Sequence, residues 1–314
     1  MPHRIDVHHH IVPPRWLAEE GERMFATAVN FDHVAKWTPE MSLESMDRNG
    51  VATAITSVST VIVRPDDPAA ASSLVRYCNE WAVKLAQDHP GRFGTFGLLP
   101  LPHIAESLKE IEYCADVLKV EGFKLQTSYK DKWPGDPAFA PVFDELNRRK
   151  AVIFFHPTAP DCCLKMIPGL HPPLMEYPFD TTRAIASLLF SGTFSRCPDI
   201  SFIFTHGGGT LPMLAHRIVS LSQKNPELRA KLGGDALGQL QKLNFDIVSV
   251  TNKPAMSGLL ALATASRCLF GTDTPYLTID ETIAELSWLG IGAADLKLIE
   301  RDNALALMPT LARR

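Results

Sequence analysis

The sequence predicts an α/β fold in which eight parallel strands close into a (β/α)8 barrel. Eight β-rich runs bounded by breakers recur at fairly regular spacing along 314 residues. Most are continuously apolar rather than alternating, as strands buried on both faces must be, and helical patterns lie between most of them. The polar residues that close several of these runs are imidazoles and a carboxylate, and the carboxyl ends of barrel strands converge on one mouth. An open doubly wound sheet is the competing architecture, but no glycine-rich phosphate fingerprint follows any run. Gly207-Gly208-Gly209 follows His206 and leads into Thr-Leu-Pro, a poor match to that fingerprint.

The runs span 5–8, 52–59, 93–99, 122–126, 152–156, 201–205, 245–248 and 268–271. The first leads into His8-His9-His10 and stops at Pro13-Pro14. Side chains alternate along a strand, so His8 and His10 project together while His9 points away. A purification tag runs longer and is not wedged between a β-rich run and a double proline; a surface cluster is the other bland alternative. Between the strands, 74–87 places Leu74, Cys78, Trp81 and Leu85 on one helical face, and 139–149 does the same with Phe139, Val142, Phe143 and Leu146. Asp136-Pro137 supplies a cap and a first turn for the second of these. Two long connections, 13–40 with Trp16, Phe25, Phe31 and Trp37, and 157–177 with His171 and Tyr177, leave the carboxyl ends of the first and fifth strands. Connections of that length are usually functional lids or binding loops.

Bulk properties fit one domain over 1–314 with a large core: 46% hydrophobic and 21% charged residues exclude a disordered chain. A net charge of −4 without a basic run disfavours nucleic acid and favours a small-molecule substrate. Cys78, Cys114, Cys162, Cys163, Cys197 and Cys268 lack CxxC spacing, Cys162-Cys163 reads as incidental, and the set is expected to stay reduced in a cytoplasm. No apolar stretch approaches the ~20 residues of a membrane helix. There is no internal repeat.

Four strand ends carry the chemistry. The first ends in His8 and His10, the fifth in His156, the sixth in His206 and the eighth in Asp273. A single histidine ending an apolar strand is commonly structural; the set at one barrel mouth predicts a metal centre. Imidazoles with one carboxylate suit a borderline divalent cation, zinc first, with manganese, iron or cobalt as alternatives. His8, His10, His156 and Asp273 are the expected ligands. A cation they hold can lower the pKa of a coordinated water or polarise a carboxylate, with His206 as the acid or base beside it.

These ligand positions resemble the amidohydrolase superfamily. Trp37-Thr-Pro-Glu40, Met46-Asp47-x-x-Gly50-Val51, His89-Pro-Gly-Arg92-Phe93, His206-Gly-Gly and Phe270-Gly-Thr-Asp273-x-Pro275 are similar to its aminocarboxymuconate-semialdehyde decarboxylase branch, over almost the whole chain. The resemblance implies a distorted (β/α)8 barrel, one divalent metal, usually zinc, and non-oxidative decarboxylation of unsaturated or aromatic acids. It implies that His8, His10, His156 and Asp273 are ligands and that His206 activates a water. It further implies that Arg217 binds a substrate carboxylate, from the neighbouring subunit of a homodimer. His8 stands where several aromatic decarboxylases carry glutamate, so the chain looks most similar to the semialdehyde and 6-methylsalicylate enzymes. Lys36 near Trp37, without the arginine that holds a second carboxylate in the semialdehyde enzyme, argues against a dicarboxylate. Lys124 invites comparison with the bridging lysine of two-metal amidohydrolases; in this branch a structural role is expected.

The expected reaction is decarboxylation of a small hydroxybenzoate-like acid, with His206 or Asp273 delivering a proton, Arg217 orienting the anion, and Trp16, Phe25, Trp37 and Tyr177 walling the ring. The alternative on the same site is hydrolysis or hydration of a lactone, ester or double bond. A non-catalytic barrel is the third reading, against which the intact ligand set argues.

Overall fold

The computed structural model describes residues 3–25, 31–59, 64–130, 132–163, 167–232 and 234–313. Eight strands form one sheet in chain order: β1 (Arg4–His10), β2 (Val51–Ser57), β3 (Phe93–Leu98), β4 (Gly122–Gln126), β5 (Val152–His156), β6 (Ser201–Phe204), β7 (Asn244–Asp246) and β8 (Cys268–Leu269). Each is parallel to the next. The ends join as well, because the Val7 N–H donates to the Phe270 carbonyl at 2.9 Å and the Asp273 N–H to the His8 carbonyl at 2.8 Å. A closed barrel replaces the doubly wound alternative.

The last two strands are shorter than the apolar runs imply, and polar groups explain why. Asp246 Oδ1 accepts the Val248 N–H at 3.1 Å and bends the chain out of β7. After β8, the Phe270 N–H turns to the Ile299 carbonyl at 2.8 Å rather than to a neighbouring strand. The two long connections are partly helical. Pro14–Phe25, Phe31–Val34 and the start of Pro39–Arg48 occupy the first, and Pro172–Phe190 begins inside the second. Among 14–23 of the helix Pro14–Phe25 the buried residues are Trp16, Glu20 and Gly21, a set too polar to announce a buried stripe. The helix predicted from residue 74 begins at Pro68, where Asp67 Oδ1 caps it by accepting the Ala70 N–H at 2.9 Å. The other predicted helix is a 3-10 turn, Pro137–Phe139, continuing into Ala140–Arg148 and capped by Asp136 as expected.

Side chains from six strands pool in one buried cluster: Ile5, Val7, Ile55, Phe96, Val152, Phe154, Ile203 and Leu269. Residues from so many strands can meet only inside the barrel. Ala304, Met308 and Leu311 join them. Arg4, at the amino end of β1, pairs with Glu300 at 2.8 Å, so this C-terminal segment closes the end opposite the histidines. A larger cluster lies between the strands and the surrounding helices.

One irregularity positions the site. Strict alternation that sends Ile5 and Val7 inward would send His8 outward. The register of β1 on β2 shifts between Asp6 and His9, and across it Val7 faces the interior while His8 and His10 face the mouth. Asp6 holds the irregularity in place. Its buried carboxylate accepts the His8 N–H at 3.0 Å and the Thr272 hydroxyl at 2.6 Å.

Candidate metal centre

At the mouth, His8 and His10 from β1, His156 at the end of β5 and Asp273 beyond β8 converge. One ligand atom from each lies within 4.8 Å of all the others. His8 Nε2 is 3.0 Å from His10 Nε2. Asp273 Oδ1 is 3.2 Å from the first and 2.9 Å from the second. Phe154 packs edge-on beneath His8 and stacks on Phe96, an apolar floor that keeps water below the site out.

The outer nitrogens decide what these inner atoms are. His8 Nδ1 meets Asp246 Oδ2 at 2.7 Å, His10 Nδ1 meets the Ser57 carbonyl at 3.2 Å, and His156 Nδ1 meets the Pro157 carbonyl at 3.0 Å. Each partner is an acceptor, so each Nδ1 carries the hydrogen and each neutral ring turns an Nε2 lone pair inward. Three lone pairs facing one carboxylate oxygen repel unless a cation sits among them. Ligands about 2.0–2.2 Å from a common ion lie roughly 3 Å apart, which the separations among His8, His10 and Asp273 match. The residues therefore fit a divalent metal, with His8, His10, His156 and Asp273 holding it.

Electrostatics show the same demand for positive charge among these groups. Burial pushes His10 down to about 4 and holds His156 well below the usual histidine range. Burial opposes a proton on His8 too, but Asp273 and then Asp246 outweigh it and push that ring up to about 10. Asp273, despite its burial, stays well below the usual carboxylate range because His8, His10 and His206 face it. The pocket thus requires positive charge beside Asp273, either a proton on His8 or a metal.

His206 stands beside the ligands. Its ring lies 5.5 Å from that of His8, and its Nε2 is 3.8 Å from Asp273 Oδ2, the oxygen turned away from His8 and His10. Its Nδ1 is buried and has no hydrogen-bond partner among the described residues. His206 and Asp273 both have positive φ, 53° and 60°. Such strain in non-glycine residues persists only where surroundings enforce it. Here Asp246 Oδ1 fixes the His206 N–H at 2.8 Å, and the His8 carbonyl fixes that of Asp273. Gly208, at φ 76°, follows because a Cβ there would lie 2.6 Å from Phe245.

Two tyrosines flank the centre. Tyr177 lies edge-on to His156 with ring centroids 6.4 Å apart, and burial pushes its phenol up to about 12, assisted by Asp273. Tyr276, absent from the sequence reading, packs on His10 at 5.5 Å, and its hydroxyl meets Ser59 Oγ at 2.6 Å. Lys124 is fully buried nearby and donates to the carbonyls of Val58 and Ser59. Burial holds its ammonium well below the usual lysine range, opposed by Asp273.

Of the other expected aromatic walls, Trp16 and Trp37 are core residues. Trp37 is a core residue, packed on Trp81 and donating its indole N–H to Ser42 Oγ at 2.8 Å. Trp16 is buried in the same core, its indole N–H without a partner among the described residues. Trp16 sits on the helix Pro14–Phe25 and Trp37 just before Pro39–Arg48, both in the connection after β1. The Phe25 side chain lies outside the described residues. Arg217 is exposed on the helix Leu211–Ser222, turned to solvent rather than to the ligands of its own chain. His9 points away from the centre as expected, yet it is buried, bonded to Asp6 and Ser42, and does not reach the surface. Asp246 is the main residue that sequence reasoning missed. Its signal was a carboxylate interrupting an otherwise apolar strand.

A closed barrel whose mouth gathers three lone-pair imidazoles, a carboxylate and an adjacent histidine defines a metal-binding (β/α)8-barrel enzyme. Residues 5–309 match the Amidohydrolase family, and the chain belongs to it. It is 36% identical to the decarboxylase yanB of Aspergillus niger over 98% of this chain and 87% of that one. It is 34% identical to the 6-methylsalicylic acid decarboxylase acuB of Aspergillus aculeatus, covering 99% and 97% of the two chains. Its fold matches a crystal structure of a dihydroxybenzoic acid decarboxylase from a Polaromonas species, with bound manganese and the inhibitor 2-nitroresorcinol. That match has TM-score 0.86 and 20% identity, covering 98% of this chain and 97% of the other.

Proposed function

We propose that this protein is a metal-dependent carboxy-lyase that removes carbon dioxide from a small ortho-hydroxylated aromatic acid of the 6-methylsalicylate type. The observation that carries this is the division of labour in Asp273. Oδ1 faces His8 and His10, whereas Oδ2 faces His206 across 3.8 Å. One carboxylate thereby joins the ligand cluster to a histidine placed to move a proton. The names of the relatives agree with that chemistry.

A bound divalent ion would supply Lewis-acid charge for the substrate's carboxylate and neighbouring phenol oxygen. The chain's own residues do the rest. His206, with Asp273 beside it, gives a proton to the ring carbon that bears the carboxylate; the bond to carbon dioxide then breaks and its electron pair restores the aromatic ring. Tyr177 and Tyr276 wall the ring, and Phe154 and Phe96 exclude water from beneath. We assign zinc as the first choice of metal from three neutral imidazoles and one carboxylate, with manganese as the alternative.

We further propose a homodimer in which Arg217 orients the substrate anion of the neighbouring subunit. Its helix also exposes Met213 and Leu221, and Leu174, Phe179 and Leu228 are exposed on the helices Pro172–Phe190 and Pro226–Lys231 that contact each other. An apolar face of this kind around a guanidinium with no ion-pair partner among the described residues suits a subunit contact. The six free thiols suit a reducing cytoplasm. Among the described residues, no helix is long and apolar enough to cross a membrane.

Metal-loaded protein is tested in deuterium oxide with 6-methylsalicylate and other hydroxybenzoates. The expected result is release of carbon dioxide and one deuterium at the vacated ring carbon. Lactone or ester hydrolysis with heavy-oxygen incorporation, and no carbon dioxide from any acid, would overturn the reading.

A further inference from the structure

The connection after β5 carries a pair of thiols that the metal chemistry does not use. Cys162 is exposed and its sequence neighbour Cys163 is buried; Cys78, Cys114, Cys197 and Cys268 are buried as well. In an extended chain adjacent side chains point apart. Here the Cys163 N–H closes a turn onto the Pro160 carbonyl at 2.9 Å, and the two Sγ atoms lie 3.0 Å apart. The hydrogen bond with Cys162, together with burial, pushes the Cys163 thiol up to about 11. Cys162 is therefore the sulfur a reagent meets first, with Cys163 held directly behind it.

We propose that Cys162 and Cys163 form a vicinal dithiol that closes reversibly to a disulfide by exchange with a small-molecule disulfide such as glutathione disulfide. The Cys162 thiolate attacks one sulfur of the reagent, forming a mixed disulfide and expelling one reagent thiolate. The Cys163 thiolate then attacks Cys162 Sγ, breaks the mixed disulfide and expels the second. The protein loses two protons and two electrons, and one reagent disulfide becomes two thiols. Consecutive Cα atoms are about 3.8 Å apart, closer than the roughly 4.4–6.8 Å of ordinary disulfides. The ring is consequently strained and readily reduced, which suits reversible closure rather than a structural staple.

Closure acts on the wall of the site rather than on its ligands. Cys163 lines a shallow pocket with Leu170, His171 and Glu176. Glu176 immediately precedes Tyr177, whose ring faces His156. Tightening the turn shifts the second turn of the helix Pro172–Phe190, where Glu176 and Tyr177 sit beside His156, while His8, His10 and Asp273 come from the other side of the barrel. The expected effect on substrate rests on the decarboxylase reading above; ring closure itself does not.

The experiment treats the metal-loaded full chain with glutathione disulfide, blocks remaining thiols with iodoacetamide, and reads intact and peptide masses. Wild type is expected to lose two hydrogens at Cys162-Cys163 and keep no glutathione. Cys163→Ser is expected to retain one glutathione on Cys162, and Cys162→Ser to stay unmodified. Dithiothreitol reverses both changes. Closure is expected to raise KM several-fold for the substrate without altering metal content, an effect absent in Cys162→Ser. A stable glutathione adduct on wild type, or no reaction there, overturns the dithiol. Unchanged KM after complete closure, or loss of metal with it, overturns the link to the Tyr177 wall. A fully reduced enzyme that decarboxylates nothing counts against the substrate assignment, while the masses still decide ring closure.

Discussion

Asp246 Oδ2 lies 2.7 Å from His8 Nδ1, with both side chains fully buried. The same carboxylate reaches the His206 backbone with its other oxygen, so one residue of β7 orients His8 and the proposed acid His206 together. Its hydrogen bond selects the His8 tautomer whose Nε2 lone pair faces Asp273. Asp246→Asn keeps the shape but offers an amide that can present N–H to Nδ1. We expect metal affinity to fall about 10–100-fold, as for other groups that orient a metal-bound histidine. Competition with a chromogenic chelator measures this, and affinity within about twofold of wild type would show that the ring is held by packing alone.

Metal binding is expected to release a proton. With the protein groups alone, Asp273 and Asp246 outweigh burial and raise His8 to about 10. Near pH 7 the incoming metal must therefore displace a proton from His8, and affinity rises with pH. Calorimetry in buffers of different ionisation enthalpy should report about one proton released per metal bound at that pH. Binding heats independent of buffer would contradict it. The sign for stability follows from the same shift. A folded-state value raised from 6.5 to about 10 contributes stability that is fully present below the unfolded value and is lost as pH rises through about 10. Metal-stripped protein should consequently melt at a lower temperature near pH 10 than near pH 7, and metal-loaded protein should lack this His8 contribution.

Much of this was legible in the chain, for physical reasons that particular residues illustrate. β5 appears as an apolar run up to His156 because both faces are covered, and the bounds of β4 and β5 match those expected from the sequence, although β4 carries the buried Lys124. His8, His10, His156 and Asp273 could be grouped because parallel strands in a closed barrel deliver their carboxyl ends to one mouth. What stayed hidden depends on tertiary partners. Asp246 sits within the run 245–248 and gains meaning only from His8, more than two hundred residues away in the chain. Trp37 looks like a pocket wall in a long connection, but its indole N–H finds Ser42 and its ring finds Trp81. The shift in register between Asp6 and His9 has no signal in the apolar pattern, since His8-His9-His10 reads the same in either phase.

Lys124 supports the site without joining the ligand cluster. It donates to the carbonyls of Val58 and Ser59, and Ser59 Oγ in turn holds the Tyr276 hydroxyl at 2.6 Å. Lys124→Met fills similar volume but leaves those acceptors without their donor. Each buried carbonyl stranded in this way costs about 1–3 kcal/mol. Chemical denaturation should show that loss while metal content stays near wild type, and KM should rise as Tyr276 loses its fixed partner. Loss of the metal with unchanged stability would instead place Lys124 in the ligand set.

His8 and His9 are neighbours with opposite roles, and paired substitutions should separate them. His8→Ala removes an inward lone pair and strands Asp246, so bound metal should be lost. His9 belongs to a buried chain: its Nδ1 meets Asp6 at 3.0 Å and its Nε2 meets Ser42 at 2.7 Å, while Ser42 accepts from Trp37. Asp6 also fixes the His8 N–H and Thr272, so it keeps acceptor work when His9 is gone. His9→Ala should therefore retain metal at the wild-type ratio while losing about 1–3 kcal/mol of stability through its stranded partners. Metal analysis and urea denaturation on the same preparations decide it. Equal metal loss in both variants would show that the Asp6-His9-Ser42 chain holds β1 in register for the ligands, rather than merely stabilising the barrel wall behind them.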